Sequence, residues 1–135
     1  MVYVMQVLLV DDNKDLTRLV SEFLKVKGID SVVTNDPKKG LDRIKEEKYD
    51  VVLLDNNMPG LYGTDIIQTL ENEKILKDQN IIILSGDDFT TRQIEDLLKK
   101  DGIKNLLKKP TSLDDLFAEI VRWENYFLGR IRIMN

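Results

Sequence analysis

The sequence predicts an α/β fold with a parallel sheet covered on both faces. Three observations predict it. Five short apolar runs alternate with five stretches whose apolar residues fall at helical spacing. Two of the runs, Val51-Val52-Leu53-Leu54 and Ile81-Ile82-Ile83-Leu84, are apolar without interruption, as parallel strands buried on both faces are. Stops such as Met58-Pro59-Gly60 and Ser85-Gly86 keep those runs to strand length. The chain's 135 residues suit one domain with one compact core.

Each element has its own signal. Val4 to Val10 is apolar but for Gln6 and closes on Asp11-Asp12-Asn13, which reads as a strand. Leu16, Leu19, Val20, Phe23 and Leu24 mark the first helix, with Gly28 at the C′ position. Ile29 to Thr34 reads as a weaker strand. Asn35-Asp36-Pro37 then offers an N-cap with proline in the first turn of a second helix, although Gly40 weakens that helix. After the strand ending at Asp55, Ile66, Ile67 and Leu70 mark a third helix whose end is poorly defined over the polar stretch to Asn80. Thr90 or Thr91 caps a fourth helix carrying Ile94, Leu97 and Leu98, closed by Gly102. Ile103 to Leu107 forms the last strand, ending at Lys108-Lys109-Pro110. Ser112-Leu113-Asp114-Asp115 then opens the last helix in the manner of a capping box. Its apolar stripe is Leu113, Leu116, Phe117, Ile120, Val121 and Phe127, with Trp123 and Tyr126 completing the core face.

Composition excludes several kinds of chemistry. There are 24 acidic and 20 basic residues, a net charge of −4, so bulk charge carries no nucleic-acid footprint. No apolar run approaches bilayer-spanning length, and the first residues lack the form of a signal peptide, so a cytoplasmic protein without membrane contact is expected. The absence of cysteine removes disulfides, thiol nucleophiles and Cys-based zinc sites. The absence of histidine removes the imidazole base, the Ser-His-Asp type of machinery and His-ligated metals. Carboxylates, hydroxyls, lysines and a hard cation are left.

In open parallel sheets, ligands bind beyond the carboxyl ends of the strands. Four of the five expected strands end in a chemically useful group: Asp11 and Asp12, Asp55, Ser85, and Lys109. Carboxylates drawn into one crevice repel, by on the order of 4 kcal/mol per pair at about 4 Å and an effective dielectric of ~20. Either their pKa values rise or a cation joins them, and oxygen ligands with room for water suit Mg²⁺. Lys109 offers a point charge to a phosphate and Ser85 a hydroxyl, while the backbone N–H groups of Asn56 and Gly86 could complete an anion cradle. Together these parts describe phosphoryl transfer onto an aspartate.

From residue 5 to about 128 the chain resembles the receiver domain of two-component response regulators, nearest in layout to the single-domain chemotaxis type. The carriers are Asp11-Asp12, Asp55 with Met58-Pro59 and Gly63, Ser85-Gly86, and Lys109-Pro110, in that order and each at a strand mouth. The resemblance implies a flavodoxin-like, doubly wound, five-stranded parallel sheet of order 2-1-3-4-5 flanked by five helices. Residues 1–128 form the receiver domain on this reading, and 129–135, with Arg130 and Arg132, form a C-terminal tail. Asp55 is implied as the phosphoacceptor, self-catalysing its own phosphorylation and dephosphorylation without being an enzyme in the usual sense. Asp12 is implied as a direct Mg²⁺ ligand, Asp11 as one acting largely through water, and Asn57 as a ligand through its carbonyl, with Asp55 completing the set and Mn²⁺ as a substitute ion. Ser85 is the implied switch hydroxyl and Lys109 the charged anchor. The implied partners are a histidine kinase or histidine phosphotransfer protein, which supplies the missing histidine, and a downstream protein. A homodimer through the fourth helix, last strand and fifth helix is a further option of the family.

Two departures stand out. Leu106 occupies the place of the family's aromatic switch residue, and Thr111 a place often held by Phe. Asn57 and Asp87 occupy positions that tune phosphoryl lifetime, and an amide and an acid there predict a short-lived phosphate. The chain ends just past the last helix, so a stand-alone regulator without direct DNA binding is expected. The alternative is an interaction module of the same fold that works without phosphorylation, which Leu106 and Thr111 favour. A phosphatase using an aspartyl-phosphate would usually carry an acid two positions after its nucleophile, where this chain has Asn57.

Overall fold

In a computed structural model the described residues form five strands and five α-helices in strict alternation. The structure describes the backbone of residues 4–134 and the side chains of residues 4–123. The elements are β1 (Gln6–Val10), α1 (Lys14–Val26), β2 (Asp30–Thr34), α2 (Pro37–Glu46), β3 (Val51–Asp55), α3 (Gly63–Asn72), β4 (Ile81–Ser85), α4 (Thr91–Leu98), β5 (Ile103–Lys108) and α5 (Leu113–Met134). A 3₁₀ turn at Leu76–Asp78 fills the polar stretch after α3, where Lys74 adopts φ 63°. All strand pairs are parallel, and the order is β2-β1-β3-β4-β5.

Local chemistry explains the helix starts. Asn13 caps α1 by accepting from Leu16 N–H at 3.0 Å. Asp36 caps α2 through Lys38 N–H at 2.9 Å, with Pro37 in the first turn. At α4, Thr90 and Gln93 exchange the reciprocal bonds of a capping box. Ser112 Oγ accepts from Asp115 N–H at 3.0 Å at the start of α5.

Two apolar layers hold the sheet. On one face, Leu8, Val10, Val52, Leu54, Ile81 and Ile83 meet Ile44 of α2, Ile66, Ile67 and Leu70 of α3, and Leu97 of α4. On the other, Val7, Leu9, Val51, Leu53, Ile82 and Leu84 meet Val20 and Leu24 of α1 and Leu116 and Ile120 of α5. The period-two alternation of the strands sends neighbouring residues to opposite layers, which is why β3 and β4 are apolar up to their last residue. Gly40 has a packing reason: a Cβ there would stand 2.5 Å from Val10 Cγ1, so the glycine lets α2 lie against β1.

Trp123 packs against the second layer, with Lys104 Nζ 5.2 Å from its ring centre. Tyr126 and Phe127, expected on the same face, have side chains outside the described residues, as do Arg130 and Arg132. The α5 backbone runs to Met134, so the boundary expected after residue 128 coincides with no break in the helix. Among the described residues no helix is long and apolar enough to cross a membrane.

Candidate functional site

The sheet's register brings four strand ends to one crevice. Asp11 directly follows β1, Asp55 ends β3, Ser85 ends β4, and Lys109 follows β5. Ser85 pairs with Lys108 in the β4–β5 register, and Lys109 N–H then donates to Ser85 C=O at 2.8 Å. An irregularity between Ile81 and Ile82, across which β5 advances from Ile103 to Asn105, sets that alignment. It also sends the Lys109 side chain inward and leaves Lys108 outside, paired with Asp88 at 2.7 Å.

Lys109 Nζ lies between two buried carboxylates, 2.9 Å from Asp11 Oδ2 and 3.2 Å from Asp55 Oδ1. Asp55 is only 2% exposed. Burial pushes its carboxyl above the usual 3.8; the Asn57 N–H opposes that, the charge of Asp11 adds to it, and Lys109 opposes it. For Lys109 burial acts downward, but the bonds and charges of Asp11 and Asp55 outweigh it and hold the ammonium above 10.5. The lysine is therefore a permanent cation at neutral pH.

Asp12 is exposed, yet one oxygen each of Asp11, Asp12 and Asp55 can lie within 4.8 Å of the others. Three carboxylates face one ammonium, and this excess of negative charge on oxygen donors fits a hard divalent cation. Asp55 Oδ1 is held by Lys109 and by Asn57 N–H at 3.2 Å, whereas Oδ2 has no hydrogen bond among the described residues.

The expected anion cradle is corrected at one position. Asn56 N–H donates to Leu84 C=O at 2.9 Å and is unavailable to a ligand, because the β3–β4 ladder continues one residue beyond the strand end. Asn57 N–H is the one that faces the carboxylate. Asn56 instead shapes the turn. Its carbonyl accepts from Gly63 N–H at 3.2 Å and its Oδ1 from Thr64 N–H at 3.0 Å. A Cβ on Gly63 would stand 2.9 Å from Asn56 Cα and Asp55 O, so the start of α3 closes on this turn only because residue 63 has no side chain.

Ser85 is fully buried, and its Oγ accepts from Asp87 N–H at 3.0 Å. Gly86 N–H donates to Asn57 Oδ1 at 3.0 Å, and Ser85 Oγ lies 3.5 Å from that same oxygen. Two supports went unforeseen. Asn35 Nδ2 donates to Asp11 C=O at 2.7 Å and to Thr17 Oγ1 at 3.0 Å, and Asn13 N–H donates to Asp11 Oδ1 at 3.0 Å. Asn13 followed by a helix was a legible cap, but Asn35 lies 24 residues from Asp11 and carries no local signal. At the edge, Leu106 is half-buried against the first apolar layer, and Thr111 Oγ1 donates to Lys108 C=O at 2.9 Å.

Comparison with known proteins agrees with this arrangement. Residues 7–121 match the response regulator receiver domain family. The cell cycle transcriptional regulator CtrA of Caulobacter vibrioides is 31% identical over 116 residues, 86% of this chain and 48% of that protein. The cell cycle response regulator CtrA of Brucella ovis is 31% identical over 118 residues, again 48% of its length. The chain thus spans about half the length of the curated relatives it matches. Among solved structures, the receiver domain of Francisella response regulator 1452 superposes with a TM-score of 0.79 at 32% identity, over 91% of this chain and 98% of that one. The fold is shared with the chemotaxis protein CheY4 of Vibrio cholerae, at a TM-score of 0.75 and 23% identity over 89% of this chain and 98% of that one. With five parallel strands in the order 2-1-3-4-5 and its acidic crevice at their carboxyl ends, the chain belongs to the response regulator receiver domain family.

Proposed function

We propose that this receiver domain is a cytoplasmic phosphorylation switch in which Asp55 accepts a phosphoryl group and the resulting acyl phosphate changes the domain's protein partners. The observation that carries this reading is Lys109 Nζ set between Asp11 and Asp55 at the mouth of the central strand. Asp55 Oδ1 is pinned by Lys109 and Asn57 N–H, and Oδ2 is the oxygen left to attack. The donor on this reading is a phosphohistidine on a kinase or histidine phosphotransfer protein, the given sequence itself having no histidine. In the transfer the donor's P–N bond breaks, a P–O bond forms to Asp55, and the released imidazole keeps the electron pair and takes a proton. Ser85 Oγ and Gly86 N–H at the neighbouring strand end are the donors for the phosphoryl oxygens, and Lys109 is its counter-charge.

Asp11, Asp12 and Asp55, with the Asn57 carbonyl, would hold Mg²⁺ or Mn²⁺, whose charge would offset that of the incoming phosphoryl group. Residue 106 is a leucine, half-buried against the core, so on this reading the output of the switch does not run through a rotating ring there. Asn57 and Asp87 leave the phosphoryl group open to water, and the phosphate is short-lived on this reading.

Intact-protein mass spectrometry after incubation with acetyl phosphate and Mg²⁺ tests the proposal. One phosphoryl adduct is expected, lost in Asp55→Asn and in chelator. A folded protein that takes up no phosphoryl group under any of these conditions would instead be a phosphorylation-independent interaction module of the same fold.

A further inference from the structure

The two donors assigned to the incoming phosphoryl group already face one acceptor of the chain itself. Gly86 N–H donates to Asn57 Oδ1 at 3.0 Å, a well-formed bond, and Ser85 Oγ stands 3.5 Å from the same atom, at the outer limit of one. Ser85 Oγ accepts from Asp87 N–H, so its own proton is the one free to point at Asn57. Asn57 meanwhile holds the nucleophile from the other side, its N–H donating to Asp55 Oδ1 at 3.2 Å. A single residue therefore ties the phosphoacceptor strand end to the receiving loop, with its main chain on one and its amide oxygen on the other.

We propose that the Asn57 amide oxygen is a built-in stand-in for a phosphoryl oxygen. It occupies the Gly86 and Ser85 donors before phosphorylation and has to swing out as the phosphoryl group arrives. This deepens the reading of Asp55 as phosphoacceptor and rests on it. The exchange is downhill in chemistry: a neutral amide oxygen is the weaker acceptor, and a bond from the same donors to a phosphoryl anion is roughly twice as strong. It is modest in size, because Gly86 is exposed and Asn57 half-buried, so water can take over whatever either side releases. The contact is a hydrogen bond and not a steric wedge, since a Cβ on Gly86 would come no nearer than 3.9 Å to that oxygen. Asn57 thus sets how readily the loop is open to phosphate, and the side chain does this independently of its backbone carbonyl.

The test compares Asn57→Ala, which removes the acceptor, with Asn57→Asp, which keeps it and adds charge. Each is incubated with subsaturating acetyl phosphate at saturating Mg²⁺, and adduct formation is followed by intact mass. Asn57→Ala should be phosphorylated faster than wild type by roughly three- to tenfold, the worth of one exposed hydrogen bond, and Asn57→Asp more slowly. A residue with only a structural role would slow both. Amide NMR supplies the second readout: without phosphate, the Gly86 N–H resonance should move toward its solvent-exposed position in Asn57→Ala and stay in place in Asn57→Asp. An adduct on wild type whose rate Asn57→Ala leaves unchanged or lowers overturns the stand-in alone. No adduct on wild type overturns the phosphoacceptor reading, and the stand-in with it.

Discussion

The central strand β3 and the edge strand β5 each deliver one charge to the crevice, and they do so from different surroundings. All five residues of β3 are buried, and the strand is paired on both sides, with β1 and with β4. In β5 only Ile103 is buried, four residues are half-buried, Lys108 is exposed, and pairing is to β4 alone. Asp55 at the end of β3 keeps 2% of its surface exposed, while the Lys109 side chain beyond β5 keeps 27%. The Asp55 carboxylate is fixed by the core and cannot shift without disturbing both apolar layers. Its counter-charge comes from a strand that can adjust, and the neighbouring β4 loop of Ser85 and Gly86 is tied mainly by single hydrogen bonds. On the proposed reading, rigidity sits where the bond to phosphorus would form, and adaptability where the change of state would be read.

The largest expected effect tests that contrast in the core. Leu54, with no exposed surface and partners on both neighbouring strands, should cost about 2–5 kcal/mol on truncation to alanine, through lost burial and a cavity that a doubly paired strand cannot close. Leu106, opposite Ile83 on the half-buried edge, should cost about 1 kcal/mol in the same change, because part of its surface is already in water. Urea unfolding of both variants checks this. Equal losses would remove the distinction between centre and edge.

The next effect concerns the charges. Lys109→Ala leaves two buried carboxylates without their shared cation and should lower stability by about 2 kcal/mol in metal-free, low-salt buffer. Added Mg²⁺ should recover part of that loss, because the ion then supplies positive charge to the same oxygens. The ammonium is held above 10.5 in the folded state, so its contribution is complete below that value and is lost as pH rises through the folded pKa. The gap between wild type and variant should therefore be flat through neutral pH and narrow in strong base as the lysine loses its proton, and in acid as Asp55 takes one. Thermal unfolding across pH, with and without Mg²⁺, measures both.

The same division separates what the sequence revealed from what it hid. Every strand and α-helix was legible, because uninterrupted apolar runs and helical spacing are local signals, and so was the placing of Asp55, Asp11, Asp12, Ser85 and Lys109 at strand ends. Contacts between distant segments were not. The Asn35 bond to the Asp11 carbonyl and the Asn57 bond to Gly86 join residues 24 and 29 positions apart, and no local pattern encodes them. Gly40, read as a weakness of α2, is demanded by Val10 across the layer, which only packing shows. The Asn56 misassignment is of another kind: whether an N–H at a strand end is free depends on how far the partner strand continues, and that is a property of the pair.

The smallest effect is expected just outside the crevice. Lys108 is the immediate neighbour of Lys109, but its side chain is turned outward, where it meets Asp88 at 2.7 Å with both groups largely exposed. The bond and charge of Lys108 lower the Asp88 pKa below 3.8, and Asp88 raises that of Lys108 above 10.5. By linkage, the Asp88 share of the pair is present above 3.8 and lost as pH falls through its folded value; the Lys108 share is present below 10.5 and lost as pH rises through its own. The pair is thus intact at neutral pH, but water and salt screen it, and exposed pairs of this kind add little to stability. Lys108→Ala should leave the thermal midpoint unchanged within error while carboxyl ¹³C NMR shows the Asp88 titration moving up toward its ordinary value. A drop in midpoint comparable to that of Lys109→Ala would mean that the outward pair restrains the β4–α4 loop, and that the edge of the sheet is less adaptable than its exposure implies.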